Sequence, residues 1–243
     1  MKLWQTRRHW EKFARTDPHW AVLTAPDKRN GRWDEAEFFA TGRATIEGEL
    51  ARVRAIAPDL RFGHALDFGC GVGRLTQALA QHFARATGVD ISTQMLALAR
   101  AHNPHADRVT FVHNSRPDLS CFASGTFDFV YSLITLQHLA PAYAHGYIRE
   151  FIRVLAPGGV ALFQIPARSI VPPRRRFSWS PGTRLWRLAN RSLAAQPIME
   201  MHAISRDQVL ATLASAGAEV LDVFRYDPDG RMLESYGYIA RRP

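Results

Sequence analysis

The sequence predicts an α/β protein: a mostly parallel sheet covered by helices on both faces and finished by an antiparallel hairpin. Three observations predict it. Short apolar runs alternate with helical patterns from residue 64 to residue 165. A glycine-rich turn follows the first of those runs, where a strand would pass into a helix. Near the end, two strand-like runs flank Asp227-Pro228-Asp229-Gly230, a turn sequence. Strands alternating with helices of this length need crossover connections, so they pair in parallel and are buried on both sides.

The first thirty residues mix Trp4, Trp10, Phe13 and Trp20 with charges, then break at Pro26-Asp27-Lys28-Arg29-Asn30-Gly31. A helix is predicted over residues 34–56, with Asp34 as its N-cap, Glu37 three residues later, and Pro58 beyond its end. Residues 64–68 read as a short buried strand, 73–83 as a helix and 86–90 as a strand. Ser92 caps a helix reaching about His102, and 109–113 and 127–133 are again strands. Pro141 opens a helix over 141–155, and 159–165 is a strand. Ser205 with Gln208 resembles a capping box, and Gly217 sits where that last helix would stop. Residues 219–226 and 235–241 complete the hairpin. The expected division is an N-terminal helical cap over 1–60 and one core over 61–243, carrying a basic insertion at about 167–200.

A chain of 243 residues fits one ordinary α/β domain, and 47% hydrophobic with 22% charged residues suits a globular core. No apolar run reaches the roughly 18 residues a membrane-spanning helix requires. The N-terminus, Met1-Lys2-Leu3-Trp4-Gln5-Thr6-Arg7-Arg8, is basic but lacks the apolar stretch of a secretory signal. Cys70 and Cys121 cannot build a disulfide framework, and neither has metal-ligand spacing. The expectation is a cytoplasmic protein without a metal.

The net charge of +9 is unevenly placed. Between Gly158 and Met199 there is no acid, while Arg168, Arg174, Arg175, Arg176, Arg184, Arg187 and Arg191 all fall there. Arg184, Arg187 and Arg191 are spaced to share one helical face, with Leu185, Ala189 and Leu193 marking another. Such a segment fits a lid over an anionic acceptor, a membrane-surface contact, or simply a solvated helix.

The segment Ala65-Leu66-Asp67-Phe68-Gly69-Cys70-Gly71-Val72-Gly73-Arg74-Leu75-Thr76 ends the first strand and opens its helix. Alternate glycines let the backbone turn sharply and approach a ligand closely. The crevice beyond the strand ends of an open α/β sheet is where ligands bind. A dinucleotide fingerprint needs a small residue at the position of Arg74, which disfavours a nucleotide dehydrogenase. The observed pattern is D-x-G-x-G-x-G. It resembles the first motif of the class I S-adenosylmethionine (SAM)-dependent methyltransferases.

Further pieces follow in that family's order, covering roughly residues 62–166. Gly88-Val89-Asp90-Ile91-Ser92 ends the second strand with an acid, and the resemblance implies that Asp90 accepts hydrogen bonds from both ribose hydroxyls. Met95, one helical turn after Ile91, either covers the adenine or belongs to the core. Phe127-Asp128-Phe129-Val130-Tyr131-Ser132-Leu133 matches the fourth strand, which would place Ser132 and Leu133 beside the methionine part of SAM. Glu150-Phe151-Ile152-Arg153-Val154-Leu155-Ala156-Pro157-Gly158-Gly159 resembles the corner before the fifth strand. One piece departs: where the family usually has an acid for the adenine amino group, this chain has Asn114 and Ser115.

The resemblance thus implies a Rossmann-like three-layer sandwich with a seven-stranded sheet, SAM as cofactor and S-adenosylhomocysteine (SAH) as product. It assigns Asp67, Gly69, Cys70, Gly71, Gly73, Arg74, Asp90, Ile91, Met95, Asn114, Ser115, Ser132 and Leu133 to the cofactor. Methyl transfer needs alignment, exclusion of water and, for some acceptors, a base. His138 is the first candidate base, set after the fourth strand in Gln137-His138-Leu139, and capping or packing is its alternative role. His202, before the last helix, is the second. Gly42, in the predicted 34–56 helix, either approaches the cofactor or packs on the sheet. The leading expectation is a methyltransferase for a small-molecule or lipid-like acceptor. Its rivals are an RNA or protein methyltransferase docking through the arginine segment, and a non-catalytic SAM-fold binding protein.

Overall fold

The computed structural model describes residues 2–169, 197–226 and 233–243. Seven strands form one sheet in the order β3-β2-β1-β4-β5-β7-β6. They are β1 (His64–Phe68), β2 (Arg85–Asp90), β3 (Val109–His113), β4 (Phe127–Ser132), β5 (Leu155–Ser169), β6 (Glu219–Arg225) and β7 (Leu233–Arg241). The first five run parallel, while β7 is antiparallel to both β5 and β6. The sheet therefore has the mostly parallel, hairpin-ended form expected from the sequence.

Strands buried on both faces explain why these runs are apolar rather than alternating. Along β5, Ala161, Phe163 and Ile165 enter one core while Val160 and Leu162 enter the other. Helix α3 (Glu35–Ile56), α4 (Arg74–Leu79) and α5 (Thr93–Ala101) cover the second core. On the opposite face lie α6 (Pro141–Val154) and α7 (Arg206–Ser215). Phe83 stacks on Phe129 with centroids 5.4 Å apart, and each such fully buried side chain contributes about 1.5–3 kcal/mol of transfer free energy.

Local signals set most boundaries. Asp34 accepts a hydrogen bond from the Glu37 N–H at 2.9 Å, capping α3. Ser92 does the same for Met95 at the start of α5, and Ser205 with Gln208 forms a capping box on α7. Two expectations need correction. The predicted 73–83 helix is regular only from Arg74 to Leu79 and continues to Phe83 as turns. Strand β5 is longer than 159–165, because its pairing with β7 extends as far as Ser169 and Leu233. The Asp227–Gly230 turn and the arginine segment beyond Arg168 lie outside the described residues.

The first thirty residues contain helices that charge content concealed: α1 (Leu3–Thr16) and α2 (Pro18–Val22). Leu3, Thr6, Trp10 and Phe13 recur at helical spacing and turn inward, Trp10 only partly buried. Glu11 ties α1 to α5: its carboxylate accepts from Thr93 N and Oγ1 at 2.8 and 2.9 Å and from Gln94 N at 3.2 Å. An acid at a helix N-terminus also meets the positive end of that helix. Burial raises the Glu11 pKa, but these hydrogen bonds outweigh it and leave the group lowered overall. Among the described residues, no helix is long and apolar enough to cross a membrane.

Candidate functional site

The β1–α4 turn is fastened to β2. The Val89 carbonyl accepts both the Gly69 N–H at 2.8 Å and the Cys70 N–H at 3.1 Å. The next amide, Gly71 N–H, donates to Asp90 Oδ2 at 2.9 Å, while Asp90 Oδ1 accepts from Ser92 N at 2.8 Å. Each carboxylate oxygen keeps a lone pair after these contacts. Burial pushes the Asp90 carboxyl up, against the opposing pull of its backbone donors. Gly69 and Gly71 have φ of +76° and +53°, the left-handed region that side chains resist. Both are also crowded: a Cβ on Gly69 would lie 2.1 Å from Thr135 Cγ2, and one on Gly71 2.6 Å from Val22 Cγ2.

Beyond this turn opens a cavity. Its floor is Phe68, Gly69, Cys70, Gly71 and Arg74, with Asp90, Ile91 and Asn114 from the ends of β2 and β3. Leu133, Ile134, Thr135, His138 and Leu139 follow β4, and Tyr147 comes from α6. The roof is the N-terminal segment: Leu3, Thr6 and Trp10 of α1 and Ala21 and Val22 of α2. Arg74 and Asp90 are the two oppositely charged groups in this wall.

Ile134 is a β-branched residue at φ +56°, a conformation costing about 1–3 kcal/mol. Gln164 of β5, buried, accepts its N–H at 3.3 Å and helps hold it there. No composition or spacing signal announced this strained turn beside the cavity.

His138 lies in a 3-10 turn, Leu136–His138, and is 5% exposed. Its Nδ1 is 2.7 Å from the Glu200 carbonyl, which only accepts, so Nδ1 carries the proton and Nε2 a lone pair. The Trp10 ring stands edge-on at 5.2 Å. Burial drives the His138 pKa down to about 4. The unfolded chain then takes up this proton near 6.5 and the folded chain only near 4, so stability falls as pH drops through that window. Relative to His138→Gln, the wild type is expected to lose up to about 3 kcal/mol between pH 7 and pH 4, read by urea unfolding. Parallel pH curves for the two proteins would contradict the buried neutral imidazole.

His202 does not line the cavity, contrary to its expected place over an acceptor. Its N–H donates to the Gln137 carbonyl at 2.7 Å and its Nε2 lies 3.1 Å from Glu200 Oε2, so it pins residues 200–202 to the 3-10 turn.

Residues 65–159 match a family model described as a methyltransferase domain. The chain is 33% identical over 134 residues to the trans-aconitate 2-methyltransferase of Deinococcus radiodurans, covering 55% of this chain and 48% of that protein. It is 33% identical over 150 residues to a ubiquinone biosynthesis O-methyltransferase of Xanthomonas oryzae, covering 61% and 56%. Over residues 65–159 the chain is therefore similar to SAM-dependent methyltransferases. The chain spans about half the length of these curated relatives. In fold, the chain resembles the magnesium protoporphyrin IX methyltransferase of Synechocystis solved with SAH, at TM-score 0.64 and 18% identity over 98% of both chains.

The cofactor of this domain is SAM, and the residues present suit it: glycines at the floor, a carboxylate with spare lone pairs, and apolar walls. Among the described residues, no group of three or more His, Cys, Asp or Glu could hold a metal. Of the thirteen residues assigned to the cofactor, Gly69, Cys70, Gly71, Arg74, Asp90, Ile91, Asn114 and Leu133 line the cavity. Asp67, Gly73, Met95, Ser115 and Ser132 do not. Asp67 is buried and accepts from Thr76 Oγ1 at 2.6 Å, clamping strand to helix, and burial lifts its pKa to about 6. Ser132 donates to the Phe68 carbonyl at 3.1 Å, and a Cβ at Gly73 would meet Phe111 at 2.8 Å. These two are packing positions.

Met95 is fully buried with Phe38 and Val72, which favours its core reading. Ser115 is exposed, whereas Asn114 is buried, with Nδ2 donating to Asp118 O at 2.7 Å and Oδ1 accepting from Arg116 N at 3.0 Å. Gly42 packs against the start of α4: a Cβ there would lie 2.6 Å from the Arg74 carbonyl.

Proposed function

We propose that this protein transfers the methyl group of SAM to a small-molecule acceptor by in-line displacement. The observation carrying this reading is the pair of clasps at the cavity floor: Gly71 N–H on Asp90, and Gly69 with Cys70 on Val89. That arrangement leaves the Asp90 carboxylate facing a cavity beside a backbone with no side chains, which suits a ribose followed by a narrow amino-acid chain.

SAM supplies an activated methyl on a sulfonium leaving group. The chain's own part is to bind, align and exclude water. Asp90 takes the ribose hydroxyls, Ile91 and Leu139 offer apolar surface to the base, and Asn114 offers its remaining amide lone pair. Residues 1–60 act as a cap, with Leu3, Trp10 and Val22 shutting solvent from the cavity. His138, neutral above about pH 4, orients an acceptor through its Nε2 lone pair and is a weak base. Transfer rates are therefore expected to show no His138 limb between pH 6 and pH 9.

A small acceptor is supported by the relatives, named for trans-aconitate and ubiquinone biosynthesis. Incubation with SAM carrying a radiolabelled methyl group, presented with small carboxylic acids, phenols, or RNA, tests it. Label entering a small molecule is the expected result. Label entering RNA alone, with binding that weakens steeply with salt, would contradict it.

A further inference from the structure

We propose that the outer face of α1 docks on an anionic lipid surface. The inference goes beyond the methyl-transfer reading and does not depend on it.

Helix α1 has two unlike faces. Leu3, Thr6, Trp10 and Phe13 turn inward, and the first three line the cavity. On the opposite side, Trp4, Arg8, Lys12 and Arg15 recur at helical spacing and share one face. Glu11 is the one acid of this helix, and its carboxylate is held by the Thr93 and Gln94 amides of α5. Arg7 lies 3.7 Å from it, whereas Arg8, Lys12 and Arg15 form no ion pair among the described residues. The outer face is therefore cationic without internal compensation.

Apolar groups stand at the same place. Four large apolar side chains are exposed among the described residues, and three of them lie on α1 or on the segment beside it. They are Trp4, 61% exposed, Ile198, 59%, and Met201, 44%; the fourth is Val220 of β6. The segment is fastened to the helix: the Ile198 N–H donates to His9 Nδ1 at 3.0 Å, and Met199 packs into the core shared by Trp10 and Phe13.

This combination decides the partner. Cations meet lipid phosphates while an indole settles at headgroup depth, with its ring in the apolar zone and its N–H in the wet one. Ile198 and Met201 add aliphatic surface that a nucleic-acid base cannot stack on. A protein interface would place few charges at its centre, whereas here a cation recurs at every turn. Docked in this way, α1 stands between the lipid surface and the cavity.

The test is sedimentation of the purified chain with vesicles of phosphatidylglycerol mixed with phosphatidylcholine, or of phosphatidylcholine alone. Binding is expected on the mixed vesicles, fading as salt is raised, and little on phosphatidylcholine. Arg8→Glu with Arg15→Glu is expected to weaken it by more than about tenfold, and Trp4→Ala by several-fold. Reversing two exposed arginines elsewhere, Arg43→Glu with Arg108→Glu, should leave it close to wild type. All variants should keep the wild-type thermal transition, because none of these side chains is buried. Equal binding to both kinds of vesicle, or none to either, overturns the proposal. So does full binding by the α1 variants, or an equal loss in the control pair, which would reduce the effect to net charge. Uptake of single-stranded RNA through Trp4 and Arg8 without vesicle binding overturns it in favour of a nucleic acid.

Discussion

Gly69→Val is expected to weaken SAM binding severely while leaving the sheet folded. Two penalties combine at this position. A side chain at φ +76° adopts the left-handed region, costing about 1–2 kcal/mol. Its Cβ would also fall 2.4 Å from Thr135 Oγ1 and 2.8 Å from Thr135 Cβ, so the turn or the post-β4 loop must move. Moving either disrupts the amide pair on Val89 and the strained Ile134 turn next to it. Affinity is expected to fall on the order of 100-fold, equivalent to about 2.7 kcal/mol. The lost stability stays within the roughly 5–15 kcal/mol that a domain holds, so the thermal transition should shift down but remain cooperative. Gly158→Val is the control: its φ is +79°, nothing lies within 4 Å of the added Cβ, and it stands away from the cavity. It should lower stability through strain alone and leave SAM affinity unchanged. Retained binding in Gly69→Val would contradict the floor geometry.

Asp90→Ala carries the second large effect. The carboxylate performs two tasks, receiving the Gly71 amide at 2.9 Å and presenting lone pairs to the cavity. The ribose contacts to this charged partner are expected to be worth about 1.5–3 kcal/mol together, so SAM affinity should fall by about 10- to 100-fold. Because the Gly71 amide is also released, Asp90→Asn should be milder, since it keeps one accepting oxygen. Burial raises the Asp90 pKa, so the charged form is the one lost first as pH falls. Wild-type affinity should therefore weaken toward acid, and Asp90→Asn should show less of that dependence. An unchanged dissociation constant in Asp90→Ala would remove the ribose assignment.

Much of the fold was legible because each crossover unit carries its own punctuation. Asp34, Ser92 and Ser205 are short polar residues placed to accept the first free helix amides, and all three do so. The apolar runs at 64–68 and 86–90 coincide with strands because burial on both faces demands continuous apolarity, while the edge strand at 109–113 alternates buried and exposed residues. The N-terminal helices were illegible for the opposite reason. In α1, Arg7, Arg8, Glu11 and Lys12 interrupt the apolar stripe, and the packing of Leu3 and Trp10 over the cavity is a tertiary contact. Helix periodicity in the spacing of Leu3, Thr6, Trp10 and Phe13 was the available signal.

Within the candidate site, Gly69, Cys70, Gly71 and Arg74 of the glycine turn converge with Asp90 on one cavity, since their spacing is fixed by a strand and a tight turn. Ser115, placed by family register, and His202, placed by its position before the last helix, did so less well. Ser115 points to solvent, and His202 serves as a pin beside His138. Side-chain direction after a strand end depends on loop geometry that sequence spacing does not encode. The Ile134 conformation is of the same kind, because only the surrounding contacts, including Gln164, stabilise it.

Calorimetric titration of the purified protein with SAH, set against NAD, tests the central claim most directly. The turn from Gly69 to Arg74 is expected to take one SAH per chain, with no uptake of NAD, because Arg74 occupies the place a pyrophosphate would need to be small. Absence of saturable SAH binding, or preferential binding of the dinucleotide, would contradict it.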